Sequence, residues 1–371
     1  MRNLIYITLL MIGCQSPQDK VKPESWPFDG FVKVDELNPI LLPSQEQVMT
    51  CPITGEQVKW ESRNVLNPSA IVRDGKVYLF YRAQDATGTS RIGMAISEDG
   101  LNFEKRPEPV FYPDNDEMKI YEWHYGKEQG MEENKDYFDG VEDPRIVESP
   151  DGSFIMTYTS YDGKTARLCH AYSEDLISWE KRGLVLGGEK YKHTWSKAGA
   201  IVSELIGDRV VARKVGDKYW MYYGDTDLFM ATSDDLITWE SAENEENGDR
   251  ISVLHPRKGY FDSRLVEPGP YALYLPEGIH MIYNASNAAN FNDPSMPKFT
   301  YAPGQVMFDP EQPYKLIDRS DTYLFKPDKP YEREGEVNEV CFVEGLVFFN
   351  QKWYLYYGTA DSKIAVAIKN G

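Results

Sequence analysis

Short runs of apolar and aromatic residues, each preceded by turn-forming residues, recur along the chain. Five of them lie at residues 77–82, 154–158, 219–223, 279–283 and 353–357. Long apolar patterns with the 3.6-residue period of a helix are hard to find. A turn such as Asp-Gly in front of a β-branched or aromatic run is typical of a hairpin. The pattern therefore predicts an all-β body.

A seven-residue motif, Ser-x-Asp-x-x-x-aromatic, occurs three times in this body. Its copies begin at Ser97, Ser173 and Ser233, which are 173 − 97 = 76 and 233 − 173 = 60 residues apart. We expect the Ser or Asp to cap backbone amides of a turn and the aromatic ring to pack beneath it. A repeat of roughly this length with four strands has the size of a propeller blade. Five such units favour a five-bladed β-propeller over two stacked β-sandwich domains, which do not predict a recurring motif.

The N-terminal residues have the pattern of a targeting segment. Arg2 precedes an apolar run, residues 4–13, that is too short to span a bilayer as a helix. The run ends in Leu-Met-Ile-Gly-Cys, which resembles a bacterial lipobox, in which cleavage precedes a lipidated Cys. We predict a lipoprotein signal peptide over 1–13, lipid attachment at Cys14, a tether over 14–30 and one domain over 31–371. The alternatives are a plain signal peptide or a buried strand.

Composition and charge restrict the partners. The chain has 59 acidic and 40 basic residues, a net charge of −19, so phosphate backbones and anionic lipids are repelled. We therefore expect no nucleic-acid partner, and contact with a membrane only through the lipid anchor. The predicted location is the bacterial cell envelope, facing the periplasm. Aromatic residues make up 13% of the chain, which suits strands and sugar-binding clefts.

Cysteines and histidines indicate no cofactor or metal. Cys51, Cys169 and Cys341 form no Cys-x-x-Cys pair, so we expect buried, unpaired thiols rather than zinc ligands or a disulfide framework. The five histidines lack the spacing of metal ligands. Calcium bound by loop carboxylates is the alternative in so acidic a chain.

Polar and charged residues stand in the first predicted strand of each repeat. Charges on strands that converge at a central channel cost desolvation energy unless they have a function. The channel is therefore the predicted site, and its candidate residues, in chain order, are Asn67, Arg82, Arg91, Glu142, Asp143, Arg145, Lys197, Glu267, Glu344 and Asp361.

The motifs N-P-S-A, Y-R-A, V-E-D-P-R-I-V, F-V-E-G-L-V and Y-Y-G-T-A-D-S-K together resemble glycoside hydrolase family 130. This family contains five-bladed-propeller β-mannoside phosphorylases and β-mannosidases, and the resemblance covers about residues 43–367. It implies that the protein is a glycosidase of carbohydrate metabolism whose partner is a mannose-containing oligosaccharide.

The resemblance also implies roles for single residues. Asp143 matches the family's proton donor, which in the phosphorylases is thought to act through a sugar hydroxyl. A general acid must hold its proton near neutral pH, so we expect burial or a neighbouring carboxylate to raise the pKa of Asp143. The residues that match the family's mannose-binding positions are Asn67, Arg82, Arg91 and Asp361. We add Arg145 and Lys197 as further candidates for binding the substrate.

The two reactions of the family differ in the attacking group, which is water in a hydrolase and phosphate in a phosphorylase. Glu267 is the candidate base for water and Asp225 the second candidate, while Lys197, Arg167 and His193 could form a phosphate cluster. We predict an inverting hydrolase acting on β-1,2-linked manno-oligosaccharides. The alternatives are a phosphorylase that releases mannose 1-phosphate and a non-catalytic sugar-binding lipoprotein. The insert 117–140 is expected to overhang the cleft or to form an oligomer contact.

Overall fold

The computed structural model describes residues 26–129 and 136–371. The predicted signal peptide, Cys14 and most of the predicted tether lie outside these residues, so the lipid attachment stays a prediction. The described part is mostly β, as expected. Its helices are short: α1 (Lys119–Glu122), a 3₁₀ turn (Tyr125–Gln129) and α2 (Pro330–Arg333). No helix in these two ranges is long and apolar enough to cross a membrane.

Apart from two short N-terminal strands that pair with each other, the strands form five consecutive antiparallel sheets, which are numbered in chain order. Three short strands come first, β1 (Val32–Lys33), β2 (Met49–Thr50) and β3 (Gln57–Val58). The first sheet contains β4 (Asn64–Arg73), β5 (Lys76–Gln84), β6 (Thr89–Ser97) and β7 (Glu104–Lys105). The second contains β8 (Asp139–Glu148), β9 (Phe154–Tyr161), β10 (Ala166–Ser173) and β11 (Glu180–Leu184).

The third and fourth sheets are less regular than the first two. The third sheet contains additional short strands, and the first strand of the fourth sheet is divided in two. The third contains β12 (Ala200–Ile206), β13 (Arg209–Ala212), β14 (Lys214–Val215), β15 (Lys218–Tyr223), β16 (Phe229–Ser233) and β17 (Trp239–Ser241). The fourth contains β18 (Leu265–Pro268), β19 (Ala272–Leu275), β20 (Gly278–Ser286), β21 (Tyr301–Phe308) and β22 (Leu316–Arg319). The fifth contains β23 (Cys341–Phe349), β24 (Lys352–Thr359) and β25 (Lys363–Asn370).

The fifth sheet is completed by the N-terminal part of the chain. Strand β1 pairs antiparallel with β25, with Val32 opposite Ile368. Neighbouring sheets are joined by short parallel pairings, of β6 with β8, of β13 with β8 and of β12 with β19. At the first of these joints Gly140 is required, because a Cβ there would lie 2.2 Å from the Ser90 carbonyl oxygen.

The core lies between adjacent sheets. Ile71 and Phe80 of the first sheet pack with Ile146 and Met156 of the second. Similar clusters join the third sheet to the fourth and the first to the fifth. Because the central strands are buried on both faces, they appear in sequence as continuous apolar runs rather than as alternating patterns.

The predicted hairpins and turns are confirmed. All five apolar runs lie in the second long strand of a sheet, in β5, β9, β15, β20 and β24. In each Ser-x-Asp motif the Ser hydroxyl accepts the backbone N–H groups two and three residues on, as Ser173 does from Asp175 and Leu176. The Asp175 carboxylate accepts the next two backbone N–H groups in the same way. The motif therefore caps the turn that follows the third strand.

The end of the predicted tether is packed on the body, since Phe28 is only 2% exposed and its N–H donates to Gln305. Among the described residues, Cys51, Cys169 and Cys341 are buried and unpaired, as expected.

The described part of the insert 117–140 is fixed by buried ion pairs, Glu122 with Lys181 and Lys127 with Asp139. It lies against the second sheet, and none of its described residues lines the cavity at the start of the first strands of the sheets. The expected overhang therefore finds no support in this part of the insert.

Candidate active site

A cavity of about 190 Å³ opens where the first strands of the sheets begin. This is less than the roughly 300–1,000 Å³ of a pocket for a drug-sized ligand, so its size suits a single sugar unit. Its wall combines charged and apolar side chains, namely Leu66, Asn67, Arg82, Asp143, Lys197, Asp225, Leu265, Glu267, Tyr301, Val340, Phe342 and Asp361. Most of the residues predicted from the sequence therefore lie together.

β-Bulges direct three of the polar side chains. The pairing of β4 with β5 shifts between Leu66 and Pro68, and that of β8 with β9 between Glu142 and Arg145. Asn67 and Asp143 occupy these bulges in the left-handed region, with φ of 46° and 51°. Asn and Asp tolerate this conformation better than other non-glycine residues, and a bulge redirects a side chain out of the regular alternation. Glu344 lies at the equivalent bulge of β23.

Asp143 is buried among cations. Its Oδ1 accepts hydrogen bonds from Asn67 Nδ2 at 2.8 Å and from Arg82 at 3.3 Å, and Lys197 Nζ lies 3.4 Å from Oδ2. Burial favours the neutral acid, but the charges of Lys197 and Arg82 and the Asn67 hydrogen bond outweigh it and lower the pKa of Asp143. The sequence expectation of a raised pKa is therefore wrong for the site without substrate.

The carboxyl groups around Asp143 behave in the opposite way. Burial raises the pKa of Glu267 to about 7 against the opposing charges of Lys197 and Arg145. Burial also raises the pKa of Asp361 to about 6 and that of Asp225 above its usual value. Protons held by the site near neutral pH are therefore held beside Asp143 rather than on it.

Lys197 lies between Asp143, the candidate acid, and Glu267, a candidate base. Its Nζ lies 3.4 Å from Asp143 Oδ2 and 3.6 Å from Glu267 Oε1. Asp225 is held on the adjoining wall by Trp195, whose indole N–H donates to Oδ2 at 2.9 Å. The charge of Lys197 also acts on the Asp225 carboxyl, so both candidate bases have the same ammonium group as a neighbour.

Arg145 lies behind the cavity and connects three sheets. It donates to the carbonyl oxygens of Gly269 and Pro268, both at 2.7 Å, and to Glu344 Oε1 at 2.9 Å. It also lies 3.9 Å from Glu267 Oε1. Its contacts are those of a positioning residue rather than of a sugar-binding one.

Several buried oxygens in the cavity or directly behind it accept no hydrogen bond from the described residues, although Lys197 Nζ lies 3.4 Å and 3.6 Å from two of them. They are Asn67 Oδ1, Asp143 Oδ2, Glu267 Oε1 and Glu344 Oε2. Buried polar atoms are normally paired, so this group of free acceptors indicates a ligand that brings hydroxyl donors. Sugar hydroxyls fit that description.

Three carboxyls are close enough to share a cation. Asp143, Glu267 and Glu344 offer oxygens that lie within 4.8 Å of one another, a donor set of the kind that Ca²⁺ takes. Lys197 and Arg145 already contact these groups, so side chains of the protein supply the positive charge there.

Six of the predicted residues do not line the cavity. Glu142, Arg145 and Glu344 belong to the network of charges behind its wall, whereas Arg91, Arg167 and His193 lie outside that network. Arg91 is paired with Asp85 at 2.8 Å and points away, because adjacent residues of a strand face opposite sides and its neighbour Ser90 contacts Arg82. Arg167 is paired with Asp162 at 2.8 Å, and His193 is exposed. Among the residues that line the cavity, only Lys197 remains of the predicted phosphate cluster.

Some residues at the site were not assigned a role from the sequence. Glu344 stands in the F-V-E-G motif of β23. The motif indicated that this residue lies near the site, but it did not indicate what the residue does there. Tyr301 lines the cavity from β21, and Trp195 contacts Asp225, yet neither lies in a recognisable motif.

Comparison with known proteins gives consistent matches over nearly the whole chain. The model of glycoside hydrolase family 130, described as beta-1,4-mannooligosaccharide phosphorylase, matches residues 38–370. A 1,2-beta-oligomannan phosphorylase from Thermoanaerobacter sp. (strain X514) is 30% identical over 351 residues, 91% of this chain and 97% of the relative. A glycosyl hydrolase from Bacteroides ovatus of known structure is 39% identical with a TM-score of 0.87, covering 95% of this chain and 96% of its own.

A further solved structure belongs to a study of family 130 glycoside hydrolases that target β-1,2 mannosidic linkages in Candida mannan. It is 39% identical to this chain with a TM-score of 0.87, and the match covers 95% of this chain and 97% of that one.

Proposed function

Because the chain belongs to glycoside hydrolase family 130, an enzyme family acting on β-mannosides by hydrolysis or phosphorolysis, we propose that it is an inverting hydrolase of β-1,2-linked manno-oligosaccharides. We further infer that its five sheets are the blades of a five-bladed propeller, with the cavity at the centre. Support for the propeller comes from five consecutive antiparallel sheets whose first strands, from β4 to β23, supply most of the cavity wall.

The charge balance of the site carries the proposal of hydrolysis. Six carboxyl groups meet there with three cations, and the carboxyls are Glu142, Asp143, Asp225, Glu267, Glu344 and Asp361. The cations are Arg82, Arg145 and Lys197, each already in contact with at least two of these carboxyls. Since each of these three cations is already paired with carboxyls, none of them is free to bind a phosphate dianion, whereas attacking water needs only a carboxylate to take its proton.

In the proposed mechanism the mannose unit binds in the cavity with its hydroxyls on the free acceptors of Asn67 and Asp143. Asp143 is ionised in the resting site, so it first takes a proton from Glu344, whose pKa burial raises and whose carboxyl oxygen lies within 4.8 Å. Asp143 then delivers this proton toward the glycosidic oxygen through a sugar hydroxyl, and Glu267 or Asp225 takes a proton from the attacking water. The nearest oxygens of Asp143 and Glu267 lie within 4.8 Å, below the roughly 6.5–9.5 Å of a directly acting inverting pair. A donor that works through a sugar hydroxyl does not need that spacing.

The two structures that are 39% identical to the chain support hydrolysis, and one of them supports the β-1,2 linkage. Phosphorolysis is the second candidate, since the curated relative at 30% identity is a phosphorylase.

The dependence on phosphate tests the proposed reaction directly. We expect the protein to release mannose from β-1,2-mannobiose in phosphate-free buffer, at a rate that added phosphate does not increase. Proton NMR at early times should show the α-anomer, because inversion of a β-linkage yields it. Formation of mannose 1-phosphate, with no release in the absence of phosphate, would establish the phosphorylase instead.

Substitution of the two candidate bases separates their roles. Glu267→Gln should lower hydrolysis by about 10²–10⁴-fold, the contribution of a general base. Azide should then restore turnover and yield the inverted glycosyl azide. In the wild type, activity should fall as the pH drops through about 7, because the base must be ionised and burial raises the pKa of Glu267 to about 7.

The matched control is Glu277→Gln, which alters an exposed carboxylate at the opposite end of the fourth sheet and should leave the rate unchanged. If Asp225→Asn abolishes turnover while Glu267→Gln retains the wild-type rate, Asp225 is the base.

A further inference from the structure

Trp195 combines exposure with a fixed position at the mouth of the cavity. Its side chain is 46% exposed, although its indole N–H donates to Asp225, a residue of the cavity wall. A Trp held by its polar edge presents its apolar ring to solvent, which is unfavourable unless a ligand covers the ring.

The backbone on both sides of this contact is fixed. Ser196, next to Trp195, donates its N–H to the Ala166 carbonyl at 3.1 Å, and its buried hydroxyl accepts the Leu168 N–H at 3.0 Å. The Gly224 N–H donates to the Lys197 carbonyl at 2.8 Å and so ties the segment of Trp195 to the segment of Asp225.

This link depends on a glycine. Gly224 has a φ of 129°, and a Cβ there would lie 2.2 Å from the Asp227 carbonyl oxygen. The indole is therefore attached to a rigid frame rather than to a free loop.

A second aromatic ring extends the surface. Tyr161, at the end of β9, meets Trp195 edge to face with ring centroids 6.3 Å apart. Tyr161 pairs with Gly140 of β8, the strand that carries Asp143, which places it on the side of the cavity. The two rings form an apolar wall next to a cavity whose volume suits one sugar unit.

We propose that Trp195 is the platform for the second sugar unit of the substrate, the one that leaves when the glycosidic bond breaks. The apolar face of this second sugar would lie on the indole. The mannose whose anomeric carbon is attacked would occupy the cavity. This inference rests on the proposed action on manno-oligosaccharides. It assigns the neighbouring sugar a binding site outside the cavity, which has room for only one sugar unit.

Two substrates and three variants test the platform. The substrates are β-1,2-mannobiose, which has a second sugar, and β-mannosyl fluoride, which has none. Trp195→Ala should raise KM for the disaccharide about 10-fold, the effect of losing a well-placed aromatic contact, and leave KM for the fluoride within about twofold. Trp195→Phe keeps a ring and should restore most of the affinity for the disaccharide.

The matched control is Tyr314→Ala. Tyr314 is 48% exposed, but it follows the end of β21 that is opposite to Tyr301 and the cavity, so both KM values should be unchanged. Equal changes in KM for both substrates in Trp195→Ala, or no change in either, would overturn the proposal.

Failure of the platform and failure of the proposed hydrolysis give different results. If the wild type acts only with phosphate, hydrolysis is refuted, and the same KM comparison for Trp195→Ala is then made for the disaccharide in phosphate buffer. A selective rise in KM there supports the platform, and its absence refutes it.

Discussion

Asp143→Asn is expected to lower the rate of mannose release from β-1,2-mannobiose by about 10²–10⁴-fold, because an amide cannot donate the proton that the leaving sugar requires. Asn has the shape of Asp, so the fold should persist. The measurement is kcat for the disaccharide beside kcat for β-mannosyl fluoride, whose leaving group needs little protonation. The fluoride rate should fall far less than the disaccharide rate.

The control for this variant is Asp139→Asn in the same strand. Asp139 is also a buried carboxylate, but it pairs with Lys127 and does not line the cavity, so its loss should change kcat little in protein that remains folded. If Asp143→Asn slows both substrates to the same degree, Asp143 acts by positioning the sugar and not as its proton donor.

Arg145→Met is expected to lower the free energy of unfolding by about 3–5 kcal/mol, the cost of removing one partner from a buried ion pair. Besides Glu344, the substitution leaves two buried carbonyl oxygens, of Pro268 and Gly269, without their donor. Chemical denaturation monitored by tryptophan fluorescence measures the change.

Arg209→Met provides the comparison. Arg209 pairs with Glu148, three residues after Arg145 in the same strand, but its side chain is 47% exposed, and exposed pairs contribute about 0–1 kcal/mol. A similar loss of stability in both variants would show that Arg145 does not hold the three sheets together.

The sequence predicted features that depend on near neighbours in the chain. The Ser-x-Asp turns are an example, because Ser173 and Asp175 bond only to residues within three positions. The hairpins were predictable for the same reason. The clustering of Asn67, Asp143 and Glu267 followed from their place at the start of a repeat.

What the sequence could not supply depends on residues that are far apart in the chain. The pKa of Asp143 is lowered by Lys197 of the third repeat, and neighbours in sequence carry no information about that distance. Arg91 was misplaced because a motif match ignores the alternation of a strand, which puts Ser90 and not Arg91 beside Arg82. Trp195 lies outside any motif, so only its contact with Asp225 identifies it.

The pairing of β1 with β25 shows at which end of the fifth sheet the N-terminal part of the chain joins the body. Val32 pairs with Ile368, near the end of β25, whereas Asp361 of the cavity lies just before that strand begins. Pro27 and Trp26 contact Lys369 and His280, at the same end as Ile368. The chain thus enters the body on the side opposite to the cavity. We propose that a lipid on Cys14, where the sequence predicts one, holds the protein with the mouth of its cavity facing away from the bilayer.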